Sequence, residues 1–227
     1  MNLKNKGYLY FLCLVGFAIA SCKDNNDAPV PLVTANINVM HLIPDAGSFN
    51  YYDNGTRQNS YKLGYTHYSG YITVAAGQQL ATLKDTLYNT FYSNSLTLTS
   101  NAEYTLMVTG QALKGTIAGV LLPDAVTYPT TVNSKVRFAN MAPNTPAVDV
   151  YFNKVAVSNA SYKGVSAWAL ADTGSVSVKI NLAGTSKVVY GPVTVPLVQG
   201  GAYTFYAYGL YGTTTGASAF SLNYITN

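Results

Sequence analysis

Few side chains in this sequence could carry chemistry, and their spacing narrows the choice further. There are two histidines, His41 and His67, two cysteines, and nine acidic residues in 227 positions. Zinc takes four N or S ligands grouped in sequence, which one His in each of two segments does not supply. Asp45, Asp53, Asp85, Asp124, Asp149 and Asp172 are scattered without a D-x-D-x-D run, so a calcium loop is not expected. Most of these aspartates are expected to cap turns. Glycoside hydrolysis needs two carboxylates across a sugar, and Asp45 with Asp149 is the pair to consider. Each borders a turn, where a carboxylate accepts backbone N–H groups instead. A Ser-His-Asp site would have to use His41 or His67, and no serine sits in a nucleophile-elbow glycine pattern. No P-loop or dinucleotide fingerprint is present. The expectation is a protein without metal or cofactor and without enzymatic activity; a hydrolase is the least favoured class.

Tyrosine is the more distinctive resource, at 20 residues. Tyr61, Tyr65, Tyr68 and Tyr71 crowd one stretch, with His67 among them, and Tyr203, Phe205, Tyr206, Tyr208 and Tyr211 crowd another. Exposed aromatic rings are rigid and amphipathic, suited to stacking on sugars or docking proteins. The candidate ligand contacts are Tyr61, Tyr65, Tyr68, Tyr206, Tyr208 and Tyr211. The competing reading is that such rings fill a core or pair across strands.

The elements that must position these rings are strands. Charged residues are 10% and hydrophobic ones 48%, too apolar for a disordered chain. Tyr, Val and Thr favour pleated, half-buried surfaces, and no segment has helical length and period. Net charge is +4. No cluster of Lys or Arg appears, which sets nucleic acid aside as a partner.

The N-terminus reads as a secretory signal. Lys4 and Lys6 precede an apolar core over residues 11–20, too short to span a bilayer as a helix. Ile19-Ala20-Ser21-Cys22 resembles the bacterial lipobox. That resemblance implies cleavage between Ser21 and Cys22 and a lipid anchor on Cys22, which would hold the protein at a membrane. Cys13 would leave with the signal. Removal of Lys4 and Lys6 from the 13 Lys and Arg leaves 11 against 9 Asp and Glu. With one lipidated cysteine left, no disulfide can form within the chain. Two or three acyl chains anchor firmly where one would be marginal. Lys23-Asp24-Asn25-Asn26-Asp27 loosely resembles the surface-export signal of Bacteroidetes lipoproteins; it also reads as a polar tether, stiffened by Pro29 and Pro31. The expected address is the outer membrane, facing the cell surface, with the periplasmic face as the alternative.

The rest of the chain repeats itself. Residues 37–45 align with 136–144, residues 49–54 with 148–153, and residues 104–110 with 203–209, each at a shift of 99. One shift holding at both ends of a unit argues for duplication. Period-2 alternation places Ile37 and Val39 on one face and Asn38 and Met40 on the other, with one face buried. Asp53-Asn54-Gly55 is a hairpin turn signal. About seven short strands per copy predict two tandem β-sandwiches, an all-β fold, over residues 34–122 and 134–227. A semi-stiff linker is expected at 123–133, after the signal at 1–21 and the tether at 22–33.

Val136-Arg137-Phe138-Ala139-Asn140-Met141-Ala142-Pro143-Asn144 and the Val148-Asp149-Val150-Tyr151 that follows resemble the opening of the domain of unknown function DUF4397. Gly201-Ala202-Tyr203-Thr204 resembles its G-x-x-Y-T strand. The first copy is divergent, keeping His41, Pro44, Asp45 and Asn54 but holding Asn50 where the family has Asp. The resemblance implies an immunoglobulin-like sandwich in a secreted or envelope-attached protein, and no activity. Asp85-Thr86-Leu87 resembles the Bacteroidetes O-glycosylation pattern, which makes Thr86 a candidate acceptor. The combined expectation is a surface lipoprotein that binds glycan or protein ligands. A structural component of an envelope complex, without a diffusible ligand, is the alternative.

Overall fold

The computed structural model describes residues 32–130 and 132–227. The signal segment, Ser21, Cys22 and most of the tether lie outside the described residues. Residues 32–227 form one compact unit. The first copy contributes β1 (Thr34–Leu42), β2 (Asn50–Asp53), β3 (Thr56–Arg57), β4 (Tyr68–Ala75), β5 (Gly77–Lys84), β6 (Thr90–Leu98), β7 (Glu103–Thr109) and β8 (Ala118–Pro123). The second contributes β9 (Ser134–Asn140), β10 (Val148–Phe152), β11 (Val155–Ala160), β12 (Ala169–Ala171), β13 (Gly174–Leu182), β14 (Val188–Leu197), β15 (Ala202–Tyr208) and β16 (Ser221–Thr226). The fold is all-β, as expected. No helix among the described residues is long and apolar enough to cross a membrane.

The two copies share one topology. Sheet order is β4-β1-β7-β8 and β3-β2-β5-β6 in the first, and β12-β9-β15-β16 and β11-β10-β13-β14 in the second. In each, the first and seventh strands pair in parallel, β1 with β7 and β9 with β15. Local chemistry repeats as well. Asn54 and Gly55 join β2 to β3 with φ of 46° and 82°, the two left-handed residues that a tight hairpin turn requires. In the second copy Asn153 keeps the left-handed conformation of Asn54, at φ 51°, but Lys154 does not share that of Gly55. Tyr104 accepts the Thr99 N–H at its hydroxyl (3.1 Å), and Tyr203 accepts the Val198 N–H (3.0 Å). A buried ring whose polar tip is satisfied explains why tyrosine opens both strands.

Each copy has its own core between its two sheets. Ile37, Val39, Phe49, Tyr51, Leu83 and Leu106 centre the first. Val136, Phe138, Val150, Phe152, Ile180 and Phe205 centre the second. Full burial of such a side chain contributes about 1.5–3 kcal/mol.

The expectation of one buried face per opening strand needs correction. A third core joins the copies and is built from four pairs of equivalent residues: Met40 and Ala139, Leu42 and Met141, Met107 and Tyr206, Leu122 and Ile225. The faces of β1 and β9 turned away from their own sandwiches therefore meet one another. The molecule is four sheets thick, and its middle seam presents the same patch from both sides, as a two-fold dimer interface does.

The seam also holds a buried polar cluster. Arg137 donates from Nη2 to Asp124 Oδ1 (2.6 Å), from Nη1 to the Pro123 carbonyl (2.7 Å) and from Nε to Thr204 Oγ1 (2.7 Å). Asp124 also accepts from Tyr71 (2.9 Å), Thr105 (2.7 Å) and Asn227 (3.1 Å). Asp124, read from sequence as a linker residue, is thus the centre of the seam. Strand register makes Asn227 its counterpart, hydrogen-bonded in turn by Thr204.

Candidate functional site

The tyrosine-rich stretch becomes the loop from β3 to β4. Buried Asn59 holds its base: Oδ1 accepts the Tyr51 N–H (2.7 Å), and Nδ2 donates to the Tyr61 carbonyl (2.6 Å). Arg57 donates to the Ser60 carbonyl (3.0 Å). Further along, the Thr66 N–H donates to the His41 carbonyl (2.8 Å) and the His41 N–H to the His67 carbonyl (3.0 Å). Ser69 then accepts the Val39 N–H (2.9 Å). The loop is clamped at both ends to the sandwich, and its tip stands free.

A cleft of about 350 Å³ opens beside this loop, lined by Gln58, Tyr61, Lys62, His67, Tyr68 and Ser69 among others. Tyr61 is 86% exposed and Tyr68 56%. His67 Nδ1 lies 3.0 Å from the Tyr65 carbonyl and so carries the proton, which leaves Nε2 for other partners. Rings, amides and hydroxyls in one shallow cleft provide apolar faces and hydrogen-bonding edges together.

The second copy shows what the scaffold alone needs. Its equivalent loop makes the same clamps. The Lys163 N–H donates to the Asn140 carbonyl (2.7 Å), the Asn140 N–H to the Gly164 carbonyl (2.9 Å), and the Phe138 N–H to Ser166 Oγ (2.9 Å). Thr66 and Lys163 share a left-handed backbone, at φ 68° and 65°. Strand pairing then aligns Gln58 with Val157 and Leu63 with Ala160. Four residues, 59–62, fill the gap in the first copy, against two, Ser158 and Asn159, in the second. Tyr61 and Lys62 sit in this longer stretch. His67 and Tyr68 stand where the second copy has Gly164 and Val165. The frame is common to both copies; the second copy's loop carries its own Tyr162 and Lys163, at the positions of Tyr65 and Thr66, while Tyr61, Lys62, His67 and Tyr68 belong to the first.

The other candidate aromatics have different places. Tyr206 was expected on an exposed strand face, but it is 1% exposed. The reason is the seam: its face of β15 meets the other copy. Burial pushes its hydroxyl well above the usual tyrosine value, and Tyr65 behaves alike. Tyr65 and Tyr208 are half-buried and pack edge-on across the seam at 6.2 Å. Tyr211 is half-buried beside a second cleft of about 520 Å³ with Tyr190 and Phe220. There the rings pack edge-on against one another, Tyr211 and Tyr190 at 6.2 and 6.3 Å from Phe220.

The acidic candidates serve the backbone. Asp45 accepts the Ala112 and Leu113 N–H groups (2.7 and 3.0 Å), and Asp149 those of Asn159 and Gly184 (2.7 and 2.8 Å). Two occupied carboxylates in separate copies are not a hydrolytic pair. His41 is buried, with Nδ1 accepting the Ile43 N–H (3.2 Å) and Nε2 facing the Gly47 carbonyl (3.0 Å). Burial lowers it to about 4, so it stays neutral at ordinary pH. Thr86 is exposed between β5 and β6, next to Asp85, which accepts the Leu87 and Asn89 N–H groups (2.8 and 2.9 Å). Asn59 was missed in the sequence; its place four residues after a two-residue hairpin turn was the available signal.

Fold and seam together define a tandem β-sandwich protein with a loop-borne cleft on its first copy. The chain belongs to the DUF4397 family, whose model, a domain of unknown function, matches residues 35–151 and 134–223. The first match runs on through most of β10 and so exceeds one repeat. No curated protein matches the chain. Among solved structures, one similar chain is CBMbc (family CBM26) from Eubacterium rectale Amy13K, crystallised in complex with maltoheptaose. It is 13% identical over 86% of this chain and 97% of that one, at a TM-score of 0.27.

Proposed function

We propose that this protein is a non-enzymatic binding module of the bacterial cell envelope, anchored through a lipid on Cys22 and facing outward, with its ligand site in the cleft beside Tyr61 and Tyr68. The lipobox-like Ile19-Ala20-Ser21-Cys22 supports the anchor. The site rests on one observation. The copies share a scaffold loop, and only the first extends it by two residues and arms it with Tyr61, Lys62, His67 and Tyr68. Two exposed rings lining one cleft, with an amide and a cation beside them, offer a ligand both apolar faces and polar edges. A sugar fits this chemistry, its C–H face on a ring and its hydroxyls on Gln58 and Lys62.

Residues 32–227 are one compact unit, so a soluble chain starting at residue 28 serves for a glycan array. Binding is expected, and Tyr61→Ala with Tyr68→Ala should reduce it by at least about tenfold, or 1.4 kcal/mol. An array without signal, or a double variant that binds as well as the parent, would sink the site. Protease shaving of intact native cells tests the address: cleavage with periplasmic markers intact supports outward exposure, and protection argues for the periplasmic face.

A further inference from the structure

The charges around the cleft narrow the ligand. Lys62 lines it beside Tyr61, and no acidic residue is among the described residues that line it. Arg57 is exposed, and its guanidinium is fixed at the rim by the Ser60 carbonyl, 3.0 Å away, Ser60 being itself a lining residue. His67 adds its Nε2, which hydrogen-bonds to none of the described residues once Nδ1 faces the Tyr65 carbonyl. The second copy has Ala156 where the first has Arg57, and its shortened loop has only Ser158 and Asn159 where Lys62 falls. The second copy's own loop cation, Lys163, lies instead over its Tyr162 ring at 5.6 Å, so Arg57 and Lys62 are particular to the first copy's cleft. A neutral sugar needs rings and amides and gains nothing from two exposed cations that, among the described residues, no carboxylate pairs.

We infer that the cleft selects an acidic oligosaccharide, one sugar ring lying on Tyr61 or Tyr68 and its carboxylate at Lys62 and Arg57. The inference rests on the glycan-binding reading above and adds the class of sugar. Guanidinium and ammonium groups bind carboxylates through charge-assisted hydrogen bonds, about twice as strong as neutral ones. Both cations are exposed at the surface, so salt should weaken the interaction.

The test is calorimetric titration of the chain from residue 28 with two acidic probes, oligogalacturonate and oligomannuronate, and with the methyl ester of each. At least one acid should bind about tenfold tighter than its ester at low salt. Its affinity should fall as salt rises. Lys62→Gln should lower affinity for that acid roughly fivefold and so narrow the gap between acid and ester. Tyr61→Ala should weaken both. Equal binding of acid and ester overturns the acidic preference and leaves the glycan reading standing. If neither acid binds while a neutral glycan scores on the array, the preference is again overturned. If nothing binds in either assay, both fall. A melting curve for each variant separates lost binding from lost folding.

Discussion

Arg137 and Asp124 form an ion pair at 2.6 Å, with side chains only 5% and 1% exposed. One group comes from β9 of the second copy and the other from the residue that follows β8, so the pair ties the copies together. Trp168 closes it from above, its ring centroid 4.5 Å from the guanidinium carbon. Burying such a pair gains little by itself, but breaking it strands a charge at a cost of about 3–5 kcal/mol. Asp124→Leu should therefore destabilise the whole chain by that order in urea denaturation, and Asp124→Leu with Arg137→Met should recover part of the loss. A single variant within about 1 kcal/mol of the parent would mean that water reaches the pair.

His41 predicts a pH dependence. Its folded value of about 4 lies below the ordinary 6.5, because burial disfavours the cation. The unfolded chain takes up a proton between pH 6.5 and 4 that the folded chain refuses. Stability contributed by this residue is thus complete above 6.5, falls as pH drops through the window and levels below 4. The full difference is worth roughly 3 kcal/mol. Asn140 occupies the equivalent position and accepts the Ala142 N–H (3.3 Å) as His41 accepts that of Ile43. His41→Asn should keep that bond and flatten the profile between pH 6.5 and 4; an unchanged slope would contradict this account.

Tyr104→Phe and Tyr203→Phe each remove the acceptor of one N–H group, from Thr99 and Val198. Each should cost about 1 kcal/mol. Because the two lie in different copies, the double variant should cost the sum within about 0.5 kcal/mol. Thermal melts decide it, and a coupling well beyond that range would show that the copies transmit strain through the seam.

Asn59 is a positioning residue for Tyr61. Asn59→Ala leaves the Tyr51 N–H without its acceptor at a cost of about 1–3 kcal/mol and frees the Tyr61 carbonyl. Glycan affinity should drop while the ligand-free chain still melts in one cooperative step. Retained affinity would show that Tyr61 is placed by something else.

Thr86 is exposed beside Asp85, so a modifying enzyme could reach it. In the native host, a peptide heavier by a glycan and absent from Thr86→Ala would establish the modification. An unmodified Thr86 peptide would end that idea.

The sandwich architecture was legible because its signals are local. Alternation in Ile37 and Val39, the Asn54-Gly55 turn and the 99-residue repeat each need only neighbouring or matching residues. The seam was not, although its signal was present. The faces of β1 and β9 away from their own cores carry the apolar Met40, Leu42, Ala139 and Met141 beside the polar Asn38 and Arg137. Alternation says which residues share a face, not whether a second surface covers that face. Tyr206 was misplaced for the same reason. Tyr61 and Tyr68 were legible as aromatics, but their difference from the second copy depends on loop alignment through hydrogen bonds, which a sequence shift of 99 conceals.

The seam also carries information about partner choice. Its apolar residues are equivalent from either side, so two first copies or two second copies could meet through the same patch. The polar centre breaks that freedom. Asp124 faces Arg137 and Asn227, whereas the first copy offers Asn38 where the second has Arg137. Two first copies would bury two carboxylates with no guanidinium, and two second copies would bury two guanidiniums with no carboxylate. Wrong pairings are thus rejected by charge, and the unequal sizes of Met107 and Tyr206 and of Met40 and Ala139 act in the same direction. Cut between Asp124 and Ser134 and supplied as separate polypeptides, the halves should find each other as a heterodimer. The peptide connection serves chiefly to hold them at high effective concentration.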